Sequence, residues 1–330
     1  MKVSILELVR VTQETTPGQA LQNARALAIA AEKFGYHRIW VAEHHNFVGI
    51  ASAATSVVIG YLAEATKTIR IGAGGIMLPN HSPYIIAEQF GTLEHLYPNR
   101  IDLGLGRAPG TDMATIKAIG RTEGASDHFP QDVLALQSYF SEQAKSFRIQ
   151  AVPAAGTNVP LWILGSSLFG ARLAAELGLP YSFASHFAPE HLLVAIDTYK
   201  QNFKPSAVLK QPYCMAGINV IAADTEAEAK KLATTQQMSF TDMFRNSRGL
   251  SKPPIEDIDT YWSPQEKALA QKMLSRSIVG NKEKVLQGLQ SFQSETGVDE
   301  VIIVSDIFDL SARIRSIDLI SEAVNLSRPQ

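Results

Sequence analysis

The feature that most constrains this chain is a regular alternation of short apolar runs with longer segments of helical period, along all 330 residues. Most of the runs are continuously apolar, as in strands that are covered on both faces. Such alternation is the βαβα pattern of a parallel sheet. Eight strands, each followed by a helix, predict an α/β (β/α)8 TIM barrel, since a doubly wound sheet usually has fewer strands. The predicted strands are Val3–Leu8, Arg38–Ala42, Ile69–Ile76, Ile101–Gly106, Leu161–Gly165, Tyr181–Ala184, Tyr213–Ala222 and Glu300–Ser305.

Several of the intervening helices carry their own start and stop signals. Thr16-Pro17 is an N-cap followed by proline at the first helical position, and Gly35 stands where that helix should stop. Asp224-Thr225-Glu226 and Gly280-Asn281-Lys282 open two further helical segments. These signals predict helices at the places that the barrel requires.

We expect one domain, residues 1–330, with insertions at about 120–160 and 246–276 that lie at the carboxyl-terminal mouth of the barrel. The first insertion contains a helix candidate near Pro130–Phe140 and a short hairpin candidate at Phe147–Val152.

The second insertion begins with Asn246–Ser263, a segment that breaks helical periodicity and reads as an exposed loop. It is interpreted either as a lid over the site or as a linker without fixed structure.

Composition narrows the classes of partner. The formal net charge is -2, from 30 Lys+Arg and 32 Asp+Glu, so there is no basic footprint for nucleic acid or an acidic membrane surface. The single cysteine, Cys214, excludes an internal disulfide and a cysteine-based zinc cluster, which predicts a cytoplasmic protein. No targeting or membrane segment is visible. Small molecules or another subunit are the expected partners.

The candidate site begins after the second predicted strand, with Glu43, His44 and His45. Imidazole suits proton transfer near neutral pH, and active sites of barrels form from the loops that follow the strands. Glu and His are also zinc ligands, but neighbouring residues at a strand end point in opposite directions, so we expect no metal. A histidine that bonds only to neighbouring backbone is the structural alternative.

After the third predicted strand come Ala73, Gly74 and Gly75. Glycine inside a strand weakens it and marks a close approach of a ligand or of another backbone. A flat ring resting on this surface and tight packing inside the barrel are both consistent with the sequence.

Three further strand ends carry polar groups. Arg107 follows the fourth strand among glycines, and Gly165, Ser166 and Ser167 open a helix after the fifth. A guanidinium together with a helix N-terminus describes a pocket for one phosphate, against the alternatives of a surface arginine and a plain N-cap serine. His186, after the sixth strand, contacts a ring or substrate, or caps the next helix.

Taken in order and spacing, these motifs resemble the bacterial luciferase-like flavin monooxygenases, in particular their uncharacterised luciferase-like branch. The resemblance rests on the segments at 40–45, 69–79, 99–107 and 164–167 and extends over almost the whole chain. It implies a TIM barrel that binds reduced FMN at its mouth, reacts it with O₂ and oxygenates a small organic substrate. It also implies a homodimer.

The resemblance gives roles to particular residues. His44 matches the family's catalytic histidine, flanked by Glu43 and His45; Ala73 and the pair Gly74-Gly75, often joined by a cis peptide in the family, match the surface for the flavin ring. Arg107 and the turn at 165–167 match the phosphate site, and His186 is assigned to cofactor binding.

No dinucleotide fingerprint, P-loop or nucleophile elbow is present. The resemblance implies that an NAD(P)H:flavin reductase delivers the reduced FMN, and the missing dinucleotide site fits such a two-component system. A deazaflavin-dependent enzyme that transfers hydride, a non-catalytic flavin-binding protein and a metal hydrolase are the alternatives.

Overall fold

The structure is a computed structural model that describes residues 1–122, 124–247 and 249–328. Its strands are β1 Lys2–Glu7, β2 Arg38–Val41, β3 Arg70–Met77, β4 Ile101–Gly106, β5 Leu161–Gly165, β6 Tyr181–Phe183, β7 Cys214–Ala222, β8 Ile278–Gly280 and β9 Glu300–Val304. Its α-helices are α1 Pro17–Lys33, α2 Thr55–Glu64, α3 Pro83–Leu96, α4 Met113–Ala118, α5 Phe129–Phe140, α6 Leu168–Leu177, α7 Leu192–Asn202, α8 Glu226–Phe244, α9 Pro264–Met273, α10 Lys282–Thr296 and α11 Leu310–Ala323.

Eight strands close into a parallel barrel. Each strand from β1 to β6 pairs with the strand that follows it in the chain. The circle is closed by β7, which pairs with β9, and by β9, which pairs with β1. The short strand β8 pairs only with β7 and lies outside the closed circle. The predicted TIM barrel is confirmed, and every predicted strand is one of the eight in the circle.

The helix signals act as the sequence predicts. Thr16 caps α1 through a capping box with Gln19, and Gly35, just beyond the end of α1, has a φ of 81°. Thr225 and Asn281 cap α8 and α10 by accepting bonds from backbone N–H groups.

One predicted element is wrong. The segment Phe147–Val152 forms no hairpin, and the side chains of Ile149 and Val152 are about two-thirds exposed. Its apolar residues therefore have no neighbouring strand to pair with. The helix predicted near Pro130–Phe140 is confirmed as α5. The division into one domain with two insertions stays a prediction.

The amino-terminal end of the barrel is closed by buried ion pairs. The guanidinium of Arg38 lies 2.6 Å from Asp102 and 2.8 Å from Glu300, and all three side chains are almost fully buried. Because these buried charges are paired with one another, none of them is left uncompensated at this end, and the opposite end is where a barrel of this kind carries its site. Within the described part of the chain, no helix has both the length and the apolar character needed to cross a membrane.

Candidate active site

A cavity of about 580 Å³ opens at the carboxyl-terminal ends of the barrel strands, where the sequence predicts the site. Its wall is mainly apolar, with a few polar groups at separate places. Seven of the predicted site residues line it: His44, Gly74, Arg107, Gly165, Ser166, Ser167 and His186.

His44 is placed by a short loop that Ser52 closes. The backbone N–H of His44 donates to the carbonyl of Ser52 at 3.1 Å, and the Ser52 hydroxyl donates to the carbonyl of Ala42. Phe47, in the same loop, packs edge-on against the imidazole. The loop thus holds His44 at the cavity wall directly after β2.

Glu43 and His45 do not line the cavity, because alternate residues at a strand end point to opposite sides. The buried Glu43 carboxylate lies 2.7 Å from His45 Nε2 and 2.8 Å from His81 Nε2, and it accepts a bond from the Met77 N–H. Burial raises the pKa of Glu43, but hydrogen bonds from His45 and His81 outweigh it and hold the pKa below its ordinary value.

These three side chains, Glu43, His45 and His81, could also hold a metal ion, since their ligand atoms all lie within 4.8 Å of one another. They come from the ends of two strands, β2 and β3. The sequence offers His45 and His81 as histidines after strand ends, but no local spacing shows that both meet Glu43. The hydrogen bonds between them satisfy the buried carboxylate, so the cluster needs no ion to be stable. It braces the loop that carries His44.

Gly74 and Gly75 lie where the register between β3 and β4 shifts, and the peptide bond between them is cis. A Cβ atom on Gly74 would lie 2.7 Å from Leu6 Cδ1, and one on Gly75 would lie 2.7 Å from the carbonyl oxygen of Gly104. Packing thus requires glycine at both positions, and Gly74 also borders the cavity. Ala73 is fully buried and does not line it.

Arg107 lies beside the N-terminus of α6. Its guanidinium stacks on the ring of Phe169 at 4.1 Å, and no described residue forms an ion pair with it. Ser167 is the N-cap of α6, yet its hydroxyl makes no capping bond, and a Cβ on Gly165 would meet only open space. This side of the cavity therefore offers a cation, two hydroxyls and helix N–H groups to an anion.

His186 follows β6 and lines the cavity. Its backbone carbonyl accepts a bond from Asn219 Nδ2, and Gln236 Nε2 in turn donates to Asn219 Oδ1 at 2.9 Å. Gly217 leaves the space that the ring occupies, because a Cβ there would lie 2.5 Å from His186 Nδ1. Burial, together with nearby His44, lowers the pKa of His186 to about 4. The ring is therefore neutral near pH 7.

A second charged pair, Arg10 and Asp306, also lines the cavity and was not among the predicted residues. Asp306 directly follows the last predicted strand, and Arg10 stands two residues beyond the first. The position of both residues just after a predicted strand was the sequence signal that could have identified them. Asn219, Gln236 and Phe240 also line the cavity, but β7 and α8 carry no motif that could have marked them.

The described residues of the segment Asn246–Ser263, which are 246–247 and 249–263, form neither a lid nor an unstructured linker. Ser251 exchanges backbone hydrogen bonds of 2.9 Å with Val11 and Gln13, and Val11 bonds to Gly49. Lys252 lies 2.7 Å from Asp242 on α8. No described residue of the segment lines the cavity, so it backs the wall from outside.

We call the three bonded stretches, 9–13, 49–51 and 251, the mouth ribbon. The second stretch exchanges bonds with the first, since Val11 N–H donates to Gly49 O and Ala51 N–H to Val9 O. The ribbon ties the loop after β1 to the loop that carries His44.

The sequence profile described as "Luciferase-like monooxygenase" matches residues 1–300. A protein of that name from Escherichia coli (strain K12) is 51% identical over 96% of this chain and 95% of its own length. The N-acetyl-S-alkylcysteine monooxygenase of Bacillus subtilis (strain 168) is 30% identical over 98% of both chains.

Solved structures agree with the barrel. Apo-MsnO8 superposes with a TM-score of 0.89 at 32% identity and covers 99% of both chains. Two other solved structures are similar in fold alone. A type II Baeyer–Villiger monooxygenase of Pseudomonas putida in complex with FMN has a TM-score of 0.74 at 17% identity and covers 100% of this chain and 99% of its own. An F420-dependent secondary alcohol dehydrogenase has a TM-score of 0.70 at 15% identity and covers 98% of both chains. On the profile match and these identities, the chain belongs to the luciferase-like monooxygenase family.

Proposed function

We propose that this protein is a monooxygenase that uses reduced FMN and O₂ to oxygenate a small organic substrate. The observation that carries the proposal is that one cavity joins His44 to an anion site made by Arg107 and the N-terminus of α6. A relative at 30% identity is a monooxygenase of N-acetyl-S-alkylcysteine, and a protein of the same fold has been solved with FMN.

The residues on the Arg107 side fit a flavin phosphate. The guanidinium of Arg107 has no ion-pair partner among the described residues, and stacking on Phe169 orients its planar face. The Ser167 hydroxyl is not used for capping, so it can donate to a phosphate oxygen together with Ser166 and the helix N–H groups. The apolar wall near Gly74 suits the ring system.

Reduced FMN supplies two electrons, so that one atom of O₂ enters the substrate and the other leaves as water. In the proposal, His44 holds or delivers a proton at the reacting atoms, with a role for imidazole of the kind found in general acid–base catalysis. His186, neutral near pH 7, hydrogen-bonds to ring or substrate. The apolar wall excludes water from the cavity.

A separate NAD(P)H:flavin reductase is the proposed donor of reduced FMN, because the chain has no dinucleotide fingerprint. The proposal also covers the oligomeric state and the cellular location of the protein. We propose a homodimer, supported by apolar side chains on α2 and α3 that are 40% or more exposed, namely Val57, Tyr61 and Ile85. We also propose a cytoplasmic location, supported by the single cysteine.

The test is an anaerobic titration of the protein with reduced FMN, reduced riboflavin and a reduced deazaflavin. We expect tight binding of reduced FMN, followed on admission of ¹⁸O₂ by incorporation of label into an organic thioether or ketone from a test panel. Failure to bind reduced FMN above riboflavin would overturn the proposal.

The likeness of fold to an F420-dependent dehydrogenase supports a second candidate, in which a deazaflavin transfers hydride without O₂. Binding of the deazaflavin alone, with no uptake of O₂, would favour that candidate. Binding of reduced FMN with no O₂ uptake, whichever compound is added, would favour a flavin-binding protein without catalysis.

A further inference from the structure

The cavity has two polar poles on opposite sides of the barrel. The first, made by Arg107 and the N-terminus of α6, follows β4 and β5. The second, the ion pair of Arg10 and Asp306, follows β1 and β9. In the closed circle of eight strands, β1 stands opposite β5 and β9 stands opposite β4. The second pole therefore faces the first across the mouth.

The second pole has hydrogen-bonding capacity that the protein does not use. Arg10 Nη2 lies 3.1 Å from Asp306 Oδ2, but the pair is not aligned as a hydrogen bond. Among the described residues, neither Arg10 Nε nor Asp306 Oδ2 has a hydrogen-bond partner, although both atoms are buried. Leaving buried hydrogen-bond donors and acceptors unpaired is unfavourable, so we look for a ligand that supplies the missing partners.

Several contacts of neighbouring residues hold the backbone and side chains of this pole in place. Beneath it, Arg313 Nη2 lies 2.7 Å from Glu7 Oε2, and both side chains are at least nine-tenths buried. Val9, next to Arg10, has a φ of 52°, which is a rare backbone conformation for a β-branched residue. The Glu7 carboxylate accepts a bond from the Val9 N–H, and the ribbon bonds made by Val9 and Val11 fix the backbone on both sides of Arg10.

The pole made by Arg10 and Asp306 presents a cation beside an anion. A ligand that complements it has two hydrogen-bond acceptors next to one hydrogen-bond donor. A carboxylate matches the planar fork of arginine, and an adjacent N–H matches aspartate. The nearby wall is apolar, since Leu6, Leu8 and Val304 line it. Such a wall accepts an uncharged body that extends from the charged end.

We propose that Arg10 and Asp306 bind the head group of an amino acid type of substrate, Arg10 its carboxylate and Asp306 the adjacent N–H. The inference rests on the proposed function, because it names the substrate class of the same cavity. The pair is bound to the substrate and not to the flavin phosphate, which has its own pole on the opposite side.

The probes are N-acetylmethionine, its carboxamide, and the acetoxy analogue that has oxygen in place of the N–H. Their binding is measured by calorimetry on the protein without flavin and again with FMN. We expect the acid to bind about tenfold or more tightly than either analogue, since a charge-assisted pair is lost in one and a donor in the other. Equal binding of acid and carboxamide overturns the proposal without any variant.

The variants Arg10→Gln, Arg10→Lys and Asp306→Asn locate the effect. We expect Arg10→Gln to abolish the preference for the acid, Arg10→Lys to retain part of it, and Asp306→Asn to reduce the discrimination against the acetoxy analogue. Arg172→Gln, an exposed arginine on α6, is the matched control. Thermal unfolding of each variant identifies any that does not fold.

Affinity for FMN and for riboflavin separates this inference from the proposed function. If Arg10→Gln weakens FMN binding more than riboflavin binding, Arg10 serves the phosphate and the inference is overturned. If the wild-type protein prefers the acid but does not bind FMN, the proposed function fails alone. If it binds FMN but shows no preference for the acid, the inference fails alone.

Discussion

His44 and His186 line the same cavity from opposite strands of the barrel, His44 after β2 and His186 after β6. Burial and the nearby His44 lower the pKa of His186 to about 4, so the His186 ring is uncharged near pH 7. A neutral His186 can donate or accept a hydrogen bond, but it is not a cation near pH 7. We therefore assign proton transfer to His44 in the proposed reaction.

Replacing His44 by Gln should lower turnover about 10²–10⁴-fold, because the side chain keeps a hydrogen-bonding group but no longer exchanges a proton. The affinity for reduced FMN should stay the same. Steady-state kinetics and anaerobic titration measure the two quantities, and His95→Gln on the exposed side of α3 is the control. Unchanged turnover would remove His44 from the proposed mechanism.

Replacing Arg107 by Ala should weaken the binding of FMN about tenfold or more and change riboflavin binding much less, because a charge-assisted contact to phosphate is lost. Arg172→Ala, on an exposed face of α6, should leave both affinities unchanged. Equal weakening of FMN and riboflavin would mean that Arg107 contacts the ring side of the cofactor and not the phosphate.

Gly217→Ala should destabilise the protein by about 1–3 kcal/mol, because the new methyl group overlaps the His186 ring. Urea unfolding measures the change. Adding His186→Ala to Gly217→Ala should cost less than the sum of the two single changes, since the overlap is relieved. The control is Gly18→Ala in α1, where a Cβ has room. Additive losses would show that His186 does not occupy the space at Gly217.

Glu43→Gln should lower the free energy of unfolding at pH 7 by about 1–3 kcal/mol, because the carboxylate that pairs with His45 and His81 is lost. The pKa of Glu43 in the folded protein lies below its ordinary 4.5, so its stabilisation is complete above that pH. It is then lost as pH falls through the folded pKa.

The difference between wild type and Glu43→Gln should accordingly shrink as the pH falls below 4.5, as measured by urea unfolding at each pH. Glu142→Gln, which removes an exposed carboxylate, should give no such trend. A constant difference over this range would contradict the account of Glu43.

The cluster of Glu43, His45 and His81 also permits a test for metal. We expect dialysis against a chelator to leave flavin binding and turnover unchanged, because hydrogen bonds already satisfy the carboxylate. Elemental analysis of the purified protein checks the content. Turnover that is lost on dialysis and restored by Zn²⁺ in the wild type, but not in Glu43→Gln, would establish a metal site instead.

The barrel strands were predictable because they are buried parallel strands, most of which are therefore continuous apolar runs. The three-residue strand β8 was not, since Ile278–Gly280 is too short to stand out from a helix boundary. Phe147–Val152 has the composition of a strand but no partner, and pairing is a property of the tertiary structure, which a local pattern does not report.

The residues of the candidate site likewise fall into those that the sequence indicated and those that it did not. Residues that follow strand ends, such as His44 and Arg107, were found because the barrel places its site there. The opposite directions of Glu43 and His44 could be anticipated, but the partner His81 could not, because it comes from a neighbouring loop. Gln236 and Phe240 lie on α8, where a polar or aromatic side chain gives no sign of which face meets the cavity.

The mouth ribbon is joined by bonds between backbone N–H and carbonyl groups, and such bonds form whatever side chains the chain carries. Side chains along it can therefore be exchanged while the wall keeps its shape, except at Gly49, where a Cβ atom would overlap the carbonyl group of Gly249. The pole at Arg107 shares no segment with it. Exchanging Arg10 or Ile50, the ribbon residues that line the cavity, would therefore change which molecules fit on that side without moving the side that Arg107 forms.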